Sequence, residues 1–179
     1  MSETNVEVEG KFTGRVITVN VEHVTLPNGR RAALEIVHHP GGAAIVALDA
    51  RDRVCMLRQY RHAAAGWIWE LPAGKLEPPE HAADCARREL VEEAGRTAHR
   101  WEPLGQYFSS PGVFTEVIHL YLARELVEVD QAHEQLEVIE VHWVPFEEAW
   151  RNAVDGVYTD GKTLIGLLRA HARLRHEVG

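Results

Sequence analysis

The chain is poor in cysteine, in long apolar runs and in positive charge, and each shortage closes off a class of function. Of 179 residues only Cys55 and Cys85 are cysteines. One lies in an apolar run and the other in a predicted helix, and no pair or cluster has zinc-ligand spacing. Such thiols pack as small hydrophobes, and the composition fits a reducing compartment. No stretch approaches the about 18 consecutive apolar residues of a membrane span, so no membrane partner is expected. Residues 1–12 are polar and acidic, without the basic and apolar regions of a secretory signal, and the expected location is the cytoplasm. Lys and Arg number 19 against 27 Asp and Glu, a formal charge of −8. A general nucleic-acid binder gathers phosphates on a basic face, so no nucleic-acid partner is expected. A small anionic substrate stays open, because bound divalent cations can reverse the local field.

What is present is an ordinary globular balance, 45% hydrophobic and 26% charged, in a chain long enough for one domain with a small appendage and a core that needs no disulfide. Residues 1–10 read as frayed. β-branched residues at 16–21, a turn signal at Leu26-Pro27-Asn28-Gly29 and a returning run at 31–37 predict a small antiparallel unit of three strands. Pro40-Gly41-Gly42 punctuates the chain, dividing it into an N-terminal β unit, 1–42, and a main domain, 43–179. Strands are predicted at 43–48, 54–60 and 67–71, the last broken by Pro72-Ala73-Gly74. A helix is predicted over 78–94, with proline and Glu80 in its first turn and Gly95 as its stop. Strands at 101–109, 117–126 and 139–145 and helices at 146–154 and 162–177 complete the pattern. Strands mixed with three helices indicate an α/β (mixed α+β) layered domain.

The informative segment opens at Gly74, reaches Glu80, and after seven residues continues Arg88-Glu89-Leu90-Val91-Glu92-Glu93-Ala94-Gly95. Residues four apart share a helix face, so Glu89 and Glu93 stack with Glu92 beside them. Carboxylates this close repel, and hard divalent cations with oxygen ligands are natural compensators. An isolated Glu-Glu pair would read as a solvated acidic face; here it ends a longer strand–loop–helix pattern.

That pattern resembles the Nudix box, matching it at Gly74, Glu80, Arg88, Glu89, Leu90, Glu92, Glu93 and Gly95. Arg96 stands where the box has an apolar residue, a position that closes the helix and touches no chemistry. The resemblance implies a Nudix fold, an α/β/α sandwich with a mixed sheet. It also implies Mg²⁺, with Mn²⁺ as a substitute, held by Glu89, Glu93, Glu92 and the backbone carbonyl of Ala73. Arg88 would orient the acids and Glu80 would tie loop to helix. Gly74 would give the backbone freedom to turn beside the metal.

Arg58-Gln59-Tyr60-Arg61, the run Trp69-Glu70-Leu71-Pro72-Ala73-Gly74 and Ser110-Pro111-Gly112 through Glu116 are similar to the ADP-ribose pyrophosphatase branch. Lys162-Thr163-Leu164 before an apolar helix is similar too. The resemblance implies metal-dependent hydrolysis of the pyrophosphate of a nucleoside-diphosphate substrate, ADP-ribose in the first place, to AMP and ribose 5-phosphate. Arg61, Glu70, Pro111 and Glu116 would contact that substrate. Arg61 alternatively reads as a surface ion pair, and Trp67 and Trp69 as packing rather than base stacking. The branch often draws its general base from an acidic loop, which here makes Glu137 the first candidate, also as a metal ligand, and Glu134 the second; Glu92 and Glu93 remain catalytic candidates within the box. The resemblance further implies a homodimer whose N-terminal strands cross to the partner. Competing readings are a Nudix pyrophosphatase for another nucleotide sugar such as GDP-mannose, and a nucleotide-binding Nudix module without hydrolysis.

Two signals are set aside. Residues 156–163 spell a P-loop pattern, but a helix rather than a buried strand precedes it. The eleven histidines form no ligand set with cysteine, and His38 and His39 point to opposite faces of a strand.

Overall fold

The computed structural model describes residues 6–130 and 138–178. The chain forms two compact units, one running up to Gly41 together with Tyr107–Val117, the other comprising Gly42–Gln106 and the chain from Ile118 onward.

The first unit holds a three-stranded antiparallel meander, β1 (Glu7–Thr13), β2 (Thr18–Thr25) and β3 (Arg31–His38). The expected Asn28-Gly29 turn closes β2 onto β3, with Gly29 at φ 81°, its N–H donating to Leu26 O at 2.8 Å, and the Arg30 N–H donating to Asn28 Oδ1 at 3.1 Å. The register runs from Thr18 opposite His38 to Thr25 opposite Arg31. The expectation of fraying through residue 10 is corrected, since β1 begins at Glu7 and pairs with β2 through a bulge between Gly10 and Phe12. Backbone bonds secure it although every residue of the strand is exposed. Segment 113–115 joins this unit by exchanging hydrogen bonds with Val37 at 2.7 and 3.0 Å.

The second unit is built on β4 (Gly42–Ala47), all six residues of which are buried. It pairs antiparallel with β7 (Ala73–Lys75) and parallel with β9 (Val117–Glu128), and β8 (Arg96–Phe108) lies beyond β9. A second, antiparallel sheet has the order β10 (Ile139–Pro145), β5 (Arg53–Arg61), β6 (Gly66–Glu70). Successive strand residues point to opposite faces, so a strand buried on both sides must feed two cores. Ala43, Ile45 and Ala47, with Cys55 and Leu57 of β5, pack against Cys85, Ala86, Leu90 and Ala94 of α1 (Ala82–Ala94). Val46, with Val54 and Met56, packs instead against Ala149 and Ala153 of α2 (Phe146–Val154) and Leu167 and Ala170 of α3 (Gly161–Val178). That alternation yields the helix–sheet–helix layering that the resemblance implies. Truncating Leu90 or Leu167 to alanine would cost about 2–5 kcal/mol, the usual range for a packed leucine.

α1 starts at Ala82, later than the expected residue 78. His81 is its extended N-cap, and residues 77–80 form a turn in which the Glu80 N–H donates to Glu77 O at 2.8 Å. Glu80 therefore precedes the helix instead of complementing its first turn. The helix stops as expected at Gly95, whose φ of 60° is left-handed and whose N–H caps Val91 O.

Candidate active site

The site is assembled where α1 lies against β7. Glu89 and Glu93, one turn apart, are 8% and 1% exposed. Their common face looks inward because Cys85, Ala86 and Leu90 anchor α1 in the core. Glu93 Oε2 accepts the Ala73 N–H at 2.7 Å. Ala73, expected to offer its carbonyl, thus meets this acid through its N–H.

Gly74 has a different reason to be glycine from the one expected. Its φ is not in the left-handed range, unlike those of Gly29, Gly41, Gly95, Gly105 and Gly156. What requires it is proximity, since a Cβ there would stand 1.7 Å from Glu89 Oε1 and 2.0 Å from its Cδ. Only a residue without a side chain lets the β7 backbone approach that carboxylate.

Arg88 binds the acids together. Its Nε and Nη2 donate to the two carboxylate oxygens of Glu80 at 2.9 and 3.0 Å, the two-pronged geometry a guanidinium fork favours. Its Nη1 donates to Glu89 Oε1 at 2.6 Å and Glu92 Oε2 at 2.9 Å, and Nη2 also reaches Lys75 O at 3.2 Å. Hydrogen bonding from Arg88 holds the Glu80 carboxyl below the usual carboxylate range, and the acids hold Arg88 more firmly protonated than a free guanidinium. Glu80 Oε2 also accepts the Glu77 N–H at 3.1 Å, so Glu80 bonds both its own loop and Arg88 of the helix. Behind the cluster Cys85 donates to Gly74 O at 3.6 Å and Lys75 O at 3.5 Å, and burial pushes its thiol up to about 12. A thiol so firmly protonated is a packing group rather than a nucleophile.

Among the described residues no three His, Cys, Asp or Glu side chains form a ready-made metal cage. The donor chemistry nevertheless fits a hard divalent cation. Three carboxylates, two of them buried, stand within one and a half helical turns, beside β-strand backbone.

A second cluster gathers at the far end of β6. Arg61 grips Glu70 with two bonds of 2.9 Å, Nε to Oε1 and Nη2 to Oε2. Lys162 Nζ reaches Glu70 Oε2 at 2.5 Å and Asp160 Oδ1 at 3.0 Å. Glu70 is 2% exposed. Burial pushes its carboxyl upward, but the hydrogen bond from Arg61 and the charges of Lys162 and Arg61 outweigh burial and hold it below the ordinary value. The two expected substrate residues are therefore partners of each other. Lys162, Asp160 and Thr163 were missed as site neighbours, although the sequence flagged their segment twice, as a P-loop lookalike and as a branch motif.

Of the tryptophans, Trp69 packs edge-on against His142 at 4.9 Å and near Tyr158 at 6.3 Å. Trp67 is 41% exposed, with the Arg58 guanidinium 5.5 Å from its ring centre and Tyr60 set edge-on. Arg96, set aside in the sequence, lies over the Trp143 ring at 5.6 Å and donates to Gly95 O at 2.8 Å, so a flat cation fills the place of an apolar side chain. Pro111 and Glu116 belong to the first unit. Pro111 is exposed in a turn in which the Val113 N–H donates to Ser110 O, and Glu116 lies 3.3 Å from His39 Nδ1. That nitrogen accepts the Gly41 N–H at 3.0 Å, so the Glu116 contact is proximity rather than a bond donated by Nδ1. Glu134 and Glu137 lie outside the described residues. His38 pairs with Glu22 at 2.7 Å, and His171 stacks on Trp150 at 4.1 Å.

The chain is similar to known proteins in sequence and in fold. A family model described as the NUDIX domain matches residues 38–164. The chain is 37% identical over 165 residues to an ADP-ribose pyrophosphatase of Bacillus subtilis (strain 168), covering 91% of this chain and 89% of that one. It is 35% identical over 179 residues to a methanol dehydrogenase activator of Bacillus methanolicus, covering 98% and 97%. Among solved structures, that of an ADP compounds hydrolase superposes with a TM-score of 0.83 at 19% identity, covering 99% and 97% of the two chains, a likeness of fold.

Proposed function

Because the chain belongs to the Nudix family, we propose that it hydrolyses the pyrophosphate linkage of ADP-ribose, giving AMP and ribose 5-phosphate, with magnesium as its cation and manganese as a substitute. The observation that carries this reading is the buried Glu89–Glu93 pair set against the Ala73–Gly74 backbone. The extended similarity to an ADP-ribose pyrophosphatase supports the choice of substrate.

Glu89 and Glu93 would hold the cation, with Glu92, the Ala73 carbonyl and Glu137 as further oxygen donors. Such a cation supplies Lewis-acid neutralisation of the diphosphate charge. The chain's own residues do the rest. Arg88, locked on Glu80, keeps Glu89 and Glu92 aligned. Arg61 offers a planar fork suited to a phosphate, and Glu70 fixes its orientation. For Pro111 and Glu116, residues of the first unit, a substrate role rests on the resemblance alone. The oxygen of the attacking water bonds to phosphorus while the bridging P–O bond breaks, its electron pair leaving with the departing phosphate. The water's proton passes to a carboxylate, Glu137 first and Glu134 second, with Glu92 and Glu93 as alternatives in the box.

We assign the protein to a reducing compartment, the cytoplasm, in keeping with its two free, buried cysteines. We also assign it a homodimeric state with the N-terminal strands crossing to the partner. Val8, Phe12 and Leu34 lie exposed on that sheet, and so small a sheet gains stability when its apolar residues are covered. Light scattering on the purified protein tests this, and a monomer at micromolar concentration would remove it.

A substrate panel decides the activity. ADP-ribose, GDP-mannose and other nucleotide sugars are offered with Mg²⁺ or Mn²⁺, and products are read by phosphate release after coupling to alkaline phosphatase. ADP-ribose should give the highest kcat/KM. If it ranks among the poorest substrates the specific assignment fails, and if no substrate yields phosphate the chain is a binding module.

A further inference from the structure

The segment from Glu70 to Gly74 spans both clusters. Glu70 holds Arg61, Ala73 holds Glu93, and Gly74 lies against Glu89. Its spacing therefore sets the distance between the guanidinium offered to the substrate and the acids offered to the cation. At its Glu70 end the segment is gripped by the first turn of α3. The Leu71 N–H donates to Thr163 Oγ1 at 2.9 Å. Thr163 in turn donates, through Oγ1–H at 2.6 Å and N–H at 3.0 Å, to Asp160 Oδ2. Asp160 is thus both the helix N-cap and, through Oδ1, the second anion on Lys162. Lys162 itself bonds Glu70 on the oxygen that also accepts Arg61 Nη2. Thr163 and Glu70 are nearly inaccessible, so these bonds are made away from competing water.

We propose that Lys162, fixed by Asp160 at the start of α3, is a positioning residue for substrate binding, acting through Glu70 to aim Arg61. A carboxylate held by one arginine alone could swing with it. One held also by a lysine rooted in a helix gives the guanidinium a fixed base. The segment that mimics a P-loop thus contributes a clamp on the binding site, with no phosphate of its own to hold. This rests on the reading of Arg61 as a substrate residue.

The test uses the full chain with ADP-ribose and saturating Mg²⁺, measuring KM and kcat separately together with the thermal midpoint. Lys162→Met should raise KM about tenfold, the scale of one hydrogen bond to a charged group, while kcat falls by less than about threefold. Lys162→Arg, which keeps a cation on Glu70, should recover KM to within about twofold. In a Glu70→Gln background the Lys162→Met change should add less than about twofold, because its route is already cut. Should Lys162→Met not fold, Lys162→Gln, which keeps a donor without the charge, is read in the same way. A lowered thermal midpoint with unchanged KM would make Lys162 a structural anchor only and overturn the proposal, as would a full KM rise in the Glu70→Gln background. Arg61→Ala separates the two levels. If it leaves KM unchanged, the reading of Arg61 falls and the inference with it; if it raises KM and Lys162→Met does not, the inference alone falls.

Discussion

The two carboxylate clusters of the second unit differ in charge balance. At α1, Arg88 bonds three acids, Glu80, Glu89 and Glu92, with Glu93 one turn from Glu89. At the end of β6, two cations, Arg61 and Lys162, share two acids, Glu70 and Asp160. Among these named groups the first set is formally negative and the second neutral. A balanced set is complete as a structural joint and can serve to hold something in place. A set rich in anions carries repulsion that is relieved when a further cation arrives, which is what a metal-assisted site requires. Both clusters lie at the same backbone segment, so position is supplied at one end and charge at the other.

Glu93→Gln puts this contrast to its hardest test. The amide oxygen can still accept the Ala73 N–H, so the fold keeps its bond while the cluster loses an anion. Activity should drop about a hundredfold or more, the scale of removing a group that organises transition-state charge, with a thermal midpoint equal to or above that of the parent, since buried like charge is reduced. A variant as active as the parent would place Glu93 among structural acids.

Gly74→Ala comes next. The new methyl meets the far end of the Glu89 side chain, which can rotate away, so folding suffers little but Glu89 leaves its place. About a tenfold to hundredfold fall in activity is expected, in the range seen when the support of a metal ligand is disturbed. Gly42→Ala is the control, because its Cβ would meet the Gly74 carbonyl at 2.7 Å, backbone that cannot rotate aside. That variant should lose stability first. Equal losses of stability in the two variants would dissolve the distinction between a functional and a structural close approach.

The same contrast explains what was legible in the sequence. The α1 cluster is local; Gly74 and Glu93 are close in the chain and joined by a strand, a turn and one helix, so period and spacing reveal it. The helix start was misplaced because Pro78, Pro79 and Glu80 suit a first turn by propensity, whereas Glu80 is recruited by Arg88, a tertiary bond that no propensity encodes. The β10 and α2 bounds agree with expectation because Pro145 and the apolar alternation before it mark the change of period. The β6 cluster joins residues 92 apart, and nothing in the local pattern around Lys162 points to Glu70. The start of β1 at Glu7 departs from expectation for another reason: its residues alternate, with Val8 and Phe12 among polar neighbours, but they lie exposed and the strand is held by backbone pairing with β2.

The smallest expected effect is on stability in acid, and it distinguishes the clusters by pH. Glu80 and Glu70 both have carboxyls held below the ordinary value, Glu80 by hydrogen bonding from Arg88 and Glu70 by Arg61 and Lys162 against the opposing push of burial. In the unfolded chain each takes up its proton near pH 4.3 or so, before the folded chain does. Between those points the unfolded state binds more protons, so stability rises with pH and is complete above the unfolded value. It is lost as pH falls through each folded value. Thermal midpoints should therefore be flat from about pH 6 to 8 as far as these groups are concerned, and fall below about pH 4. Glu80→Gln and Glu70→Gln should each flatten part of that acid limb. Because Glu70 is buried between two cations, its amide variant leaves positive charge uncompensated and should also lower the plateau at neutral pH. Glu80, nearer the surface, should change the plateau less. An identical plateau for both variants would mean that the balanced cluster is no tighter a joint than the loop tie at Glu80.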